Sequence, residues 1–172
     1  MTKSASRLII PILFLSGLIP HLFAQAPTQS QGPFVIQLVL SAQTSDGTSV
    51  GGTRTVSLTT NREGKFSFSE VAPAMFPPQC APAPAVAAQI QEGDWIDGEL
   101  VPIEGERYQV HLRVRSKTAT GCKQVGNTMS PVMTDPTVIK DAIVSIREAI
   151  RVDVKKSDKE LLIVDFKLNG QN

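Results

Sequence analysis

The chain has 172 residues, 17 Lys+Arg against 16 Asp+Glu, 41% hydrophobic side chains and 5% aromatics, the content of one ordinary globular domain. A formal net charge of +1 gives none of the basic surplus expected of a nucleic-acid-binding domain. Two cysteines exclude a disulfide-dense scaffold and a four-thiolate zinc site.

Residues 1–26 read as a secretory signal peptide. Lys3 and Arg7 make a positive n-region, Leu8 to Phe23 an apolar stretch, and Ala24-Gln25-Ala26 a small-residue cleavage pattern. A cut after Ala26 would place Pro27 directly beyond the scissile bond and hinder a peptidase that needs an extended chain, so cleavage is expected after Ala24. A transmembrane anchor wants about 20 apolar residues. This stretch is shorter and is broken by Pro11, Gly17, Pro20 and His21, so no stable span is expected once the signal is removed. The expected organisation is a signal peptide over 1–24 and a single β domain over 25–172. Losing 24 of 172 residues leaves 148, and losing Lys3 and Arg7 leaves 15 cations against 16 acids. That is enough chain for one modest core.

Period-two alternation dominates the mature chain. Ile36, Leu38, Leu40 and Ala42 share one face of a first strand. Thr44 to Gly52, with Asp46-Gly47 and Gly51-Gly52, reads as a polar turn region. Val56 and Leu58 alternate with polar residues, Asn61-Arg62-Glu63-Gly64 turns the chain, and Phe66 with Phe68 marks the returning strand of a hairpin. Residues 73–84 hold five of the twelve prolines and read as an extended Pro/Ala-rich loop, because proline lacks a ladder donor and blocks helix interiors.

Asp94–Ile103 and Arg107–Lys117 flank Glu104-Gly105-Glu106, a three-residue hairpin loop with glycine available for the left-handed position. Folding about Gly105 sets Leu100 opposite Val110, Gly98 opposite Leu112 and Ile96 opposite Val114 on an apolar face. Glu99 then meets His111, and Asp97 meets Arg113, on the polar face. A slip of one residue would set acids against apolar residues, which specifies the register. Residues 118–135 read as a loop containing Cys122. Over 137–150, Ile139, Ile143, Ile146 and Ile150 have helical spacing and Asp135-Pro136 resembles a helix start. The β-branched content favours strands, with a bend near Glu148-Ala149. A last hairpin turns at Ser157–Glu160 and leaves through Leu162, Val164, Phe166 and Leu168. The count is seven or eight strands, an all-β antiparallel sandwich or partly closed barrel.

The sites of common chemistries are missing from the sequence. The mature chain keeps one histidine, His111, so neither a multi-histidine metal site nor a paired-histidine zinc helix is available. The hydrolase elbow, the phosphate-binding loop and the dinucleotide glycines do not occur. No catalytic residue, cofactor or metal is expected. Asp94, Asp97 and Glu99 could serve as calcium ligands or glycosidase carboxylates, but salt-bridged sheet surface explains them more cheaply. Arg107, His111, Arg113, Arg115 and Lys117 form a basic row. It reads either as a solvated outer face or as a seat for an anionic glycolipid. Trp95 reads as a packed indole or as a glycan-stacking platform. Cys80 and Cys122 are expected to pair in an oxidising compartment, closing a loop of about 43 residues worth roughly 4 kcal/mol on the chain-entropy model. Two buried free thiols are the alternative.

The order of Ile36-Gln37-Leu38-Val39-Leu40-Ser41, Arg54-x-Val56-x-Leu58 and Tyr108-x-Val110-x-Leu112-x-Val114 resembles small exported proteins of acidobacterial-type genomes. Their β-rich bodies are similar to a detached secretin domain of outer-membrane secretion and pilus channels. Such relatives carry a cysteine after the aspartate where this chain has Asp97-Gly98, and the proline-rich stretch looks like an insertion. The resemblance implies an all-β body and no enzyme activity. The expectation is an exported periplasmic or extracellular protein of the bacterial envelope, non-catalytic, acting through contacts with a protein partner. The alternative is a module that binds glycan or lipopolysaccharide.

Overall fold

The computed structural model describes residues 33–74 and 90–171. They form nine strands and no helix: β1 (Phe34–Thr44), β2 (Ser49–Thr59), β3 (Lys65–Pro73), β4 (Gln91–Pro102), β5 (Arg107–Val125), β6 (Thr128–Thr134), β7 (Thr137–Ser145), β8 (Ala149–Lys155) and β9 (Glu160–Gln171). The expected signal peptide and Cys80 lie outside the described residues, as does most of the Pro/Ala-rich loop. Pro73 and Ala74 are described: Pro73 ends β3 opposite Gln91, at the rim where a missing donor costs least.

All pairings are antiparallel. The first sheet runs β2-β1-β9-β8. In the second, β3, β4 and β5 lie in order, and β5 pairs on its far side with β7 and then, further along, with β6. The two sheets face each other without closing into a barrel, and alternate residues from each fill the space between them. Ile36, Leu38, Val154, Val164, Phe166 and Leu168 come from the first sheet. Ile96, Leu100, Val110, Leu112 and Val114 answer from the second, and all are almost wholly buried. Aromatic contacts stitch the layers: Phe34 meets Tyr108 edge-on with centroids 5.0 Å apart, and Phe66 stacks on Phe166 at 5.6 Å. Each such apolar side chain contributes roughly 1.5–3 kcal/mol on burial.

Turn chemistry fixes the hairpin ends. Asp46 Oδ1 accepts from the Thr48 N–H at 3.0 Å, and Asn61 Oδ1 accepts from those of Glu63 at 3.0 Å and Lys65 at 2.8 Å. Gly105 has φ +74° at the β4–β5 turn, the left-handed geometry that glycine supplies at no steric cost.

The β4–β5 register is the one expected: Leu100 opposite Val110, Gly98 opposite Leu112, Ile96 opposite Val114, Glu99 opposite His111 and Asp97 opposite Arg113. The ambiguous 137–150 region is strand, turning at Ile146–Glu148. Three expectations change. Residues 118–135 are not a loop: β5 runs on to Val125, turns through Gly126 and Asn127, and returns as β6. This part extends past the start of β4, whose ladder to β5 ends at Gly93–Lys117. It therefore has no apolar alternation to betray it. Gly51-Gly52 lies inside β2, not in the turn, at a register irregularity opposite Leu40–Ala42. Among the described residues the strand count is nine rather than seven or eight.

Candidate functional site

The outward face of the second sheet gathers most of the chemistry read from the sequence. Because β5 is central, its outward residues are flanked on both sides. Trp95, Arg115 and Thr137 form one row across β4, β5 and β7; Asp97, Arg113 and Ile139 form the next; Glu99, His111 and Asp141 the third.

The basic row is largely neutralised within the protein. Arg115 forks onto Asp135, Nε to Oδ1 at 2.6 Å and Nη2 to Oδ2 at 2.5 Å. Arg113 Nε donates to both oxygens of Asp97 at 3.1 Å, and its Nη2 lies 3.0 Å from Oδ2. The bond from Arg115 holds the Asp135 carboxyl below its ordinary range against a small opposing effect of burial, and Asp135 raises Arg115 in turn. His111 and Glu99 are opposite in the ladder, yet the ring Nδ1 bonds Asp141 on β7 instead. Sequence pattern supplies β5 with one neighbour, and its second brings this competing carboxylate. Arg107 and Lys117, at the two ends of the row, lie opposite Ser145 and Gly93.

Trp95 is half-buried, with the Arg115 guanidinium carbon 5.3 Å from its ring centre, a cation–π contact. Trp95, Asp97, Arg113, Arg115, Asp135 and Thr137 line a shallow recess of about 440 Å³. One aromatic plate, two arginines and two carboxylates can take up hydrogen-bonding groups of both polarities. Two large apolar side chains on the neighbouring edge strand are well exposed: Ile139, at 58%, lies opposite Arg113 beside the recess, and Ile143, at 60%, lies opposite Gln109 beyond the third row.

The acidic segment around Trp95 does not converge. Strand alternation sends Asp97 and Glu99 outward and Asp94 to the core side. There Asp94 Oδ1 accepts from Ser116 Oγ at 2.6 Å, and Lys156 Nζ, arriving from the β8–β9 turn, sits 3.3 Å away. The Asp94 and Lys156 side chains are 17% and 16% exposed, so this is a part-buried clasp between the two sheets. Glu92 Oε2 accepts from the Ala119 N–H at 3.0 Å, and Thr134 Oγ1 donates to the Lys156 carbonyl at 2.8 Å. A polar groove of about 640 Å³, lined in part by Thr118, Thr120, Lys155 and Glu160, opens beside it. Among the described residues no three His, Cys, Asp or Glu side chains stand close enough to hold a metal ion.

Cys122 is half-buried on β5 opposite Pro131 of β6. The partners that sequence reasoning misses are Asp135 and Asp141. The first resembles a helix start. The second sits between Ile139 and Ile143 on one face of its strand, a position that shows the strand but not its neighbour. Comparisons of the chain with protein-family models, with curated proteins and with solved structures find no match.

Proposed function

We propose that the protein is an exported, non-catalytic component of the bacterial envelope that works by protein–protein contact through the outward face of β4, β5 and β7, in association with a secretion or pilus channel. The observation that carries this reading is the pairing of Arg113 with Asp97, Arg115 with Asp135 and His111 with Asp141. A row of five free cations would favour an anionic glycolipid. A near-neutral face of arginine, tryptophan and exposed isoleucine matches the composition of protein interfaces, where aromatics and arginine are enriched. Export rests on the amino-terminal pattern Lys3–Arg7, Leu8–Phe23 and Ala24-Gln25-Ala26. In the compartment so reached, Cys80 and Cys122 form a disulfide.

A photo-crosslinking side chain at Thr137, on the rim of the Trp95 recess, tests this in the native envelope. The expected product is a discrete protein adduct containing a channel component, lost when Trp95→Ala and Arg115→Glu are combined. Adducts of free glycolipid with no protein would overturn it. That outcome is what the second reading, a glycan- or lipopolysaccharide-binding module, requires. The recess itself favours this second reading, since a plate with flanking Arg and Asp suits a sugar ring.

A further inference from the structure

Strand β7 is an edge. Among the described residues it ladders with β5 alone, so one side of its backbone offers donors and acceptors to another strand. Its sequence, Thr137-Val138-Ile139-Lys140-Asp141-Ala142-Ile143-Val144-Ser145, reads nearly the same from either end about Asp141. Thr137 mirrors Ser145, Val138 mirrors Val144, and Ile139 mirrors Ile143. A two-fold interface demands this property, because residue i must fit j while j fits i.

We propose that β7 pairs antiparallel with β7 of a second copy, about a two-fold axis through Asp141, joining the two second sheets into one. Directly opposed residues share a face. On the outward side Ile139 covers Ile143 of the other copy, and the reverse, removing from water the two most exposed large apolar side chains among the described residues. On the inward side Val138 meets Val144, and Lys140 meets Ala142, whose small side chain lets the lysine stem lie across it. Neighbouring registers fail. A shift of two residues either way puts Asp141 against an isoleucine, and a shift of one turns each apolar face to the wrong side. The remaining conflict is Asp141 against its own copy, and each carboxylate there already holds a His111 ring nitrogen. The pairing takes the Ile139–Ile143 border of the proposed partner face and leaves the Trp95 recess open, presented twice, so it does not depend on what the recess binds.

Disulfide trapping in the purified protein tests the register. In Asp141→Cys the two sulfurs would face each other across strands about 4.5–5.5 Å apart at Cα, within disulfide reach. Mild oxidation should give a covalent dimer. Lys140→Cys, one residue away and on the opposite face, should give none. Sedimentation then measures strength: Ile139→Lys with Ile143→Lys should weaken dimerisation at least about tenfold, and Asp141→Asn should strengthen it roughly two- to fivefold. A wild-type protein that stays monomeric at about 100 μM, an Asp141→Cys variant that does not crosslink, or equal crosslinking by Lys140→Cys would each overturn the proposal.

Discussion

The β4–β5 hairpin and the β5–β6 hairpin share a strand but are held together by different forces. In the first, every second residue of Tyr108–Val114 enters the space between the sheets and is buried, so packing against a second layer fixes its register. In the second, residues 118–134 run beyond that layer. Their side chains are mostly half-exposed or exposed, and Val125 and Val132 are 51% and 36% accessible. There the backbone ladder and a tight turn replace core packing, with bonds from the Ala119 N–H to Glu92 and from Thr134 to the Lys156 carbonyl tying the base of the ribbon to the body, since an isolated two-stranded ribbon is only marginally stable in water. A strand is thus defined by its hydrogen bonds, while its visibility in a sequence depends on whether it also covers a core.

The largest effect should come from removing apolar contact in the first hairpin. Leu112→Ala is expected to cost roughly 2–5 kcal/mol in denaturant titration, while Val132→Ala in the second should stay within about 0.5 kcal/mol. Equal losses would abolish the contrast. Next is Gly98→Ala. Its Cβ would lie 2.4 Å from the His111 carbonyl oxygen and 2.7 Å from the Phe66 ring, so a loss of about 1–3 kcal/mol is expected. Opening the clasp with Lys156→Ala should cost about 1–2 kcal/mol. In hydrogen exchange, the backbone amides of 118–125 should then lose protection before those of 108–114. Acid has the smallest effect. Hydrogen bonds from Thr44, Arg115 and Lys155 respectively are the main reason that Asp46, Asp135 and Asp158 sit below the ordinary carboxylate value. Their contribution is complete above that value, about 3.9, and disappears as pH falls through the depressed ones. These groups are exposed, so thermal midpoints between pH 5 and pH 2 should drop modestly, and high salt should shrink the drop.

The legible parts of the fold obey the same physics. The register about Gly105 can be read because Glu99 and Asp97 on one side, and Leu100 and Ile96 on the other, leave one alignment without conflict. The strands over 137–155 are legible through Val152 and Val154, despite the helical spacing of four isoleucines. Strand β6 is not, since Pro131 and the threonines around it signal a loop to any rule based on apolar period. The site is half legible. Arg113 with Asp97 comes from a pairing that can be counted, whereas the Arg115–Asp135 fork joins β5 to the β6–β7 junction, where local pattern shows a loop and a helix start. His111 meeting Asp141 depends on β7 lying beside β5, a topological fact that local pattern does not carry.

Strand β5 spans 19 residues, about 60 Å at the usual rise per residue, from the hairpin at Gly105 to the tip at Gly126. It is one continuous strand, with a register irregularity between Ala119 and Gly121 where the projection begins, and it belongs to both the sandwich and that projection. Tension on the tip along its axis would reach β4 and β7 as shear across many ladder bonds at once instead of unzipping them in turn. The projection is in this respect a handle whose shaft is continuous with the body it pulls.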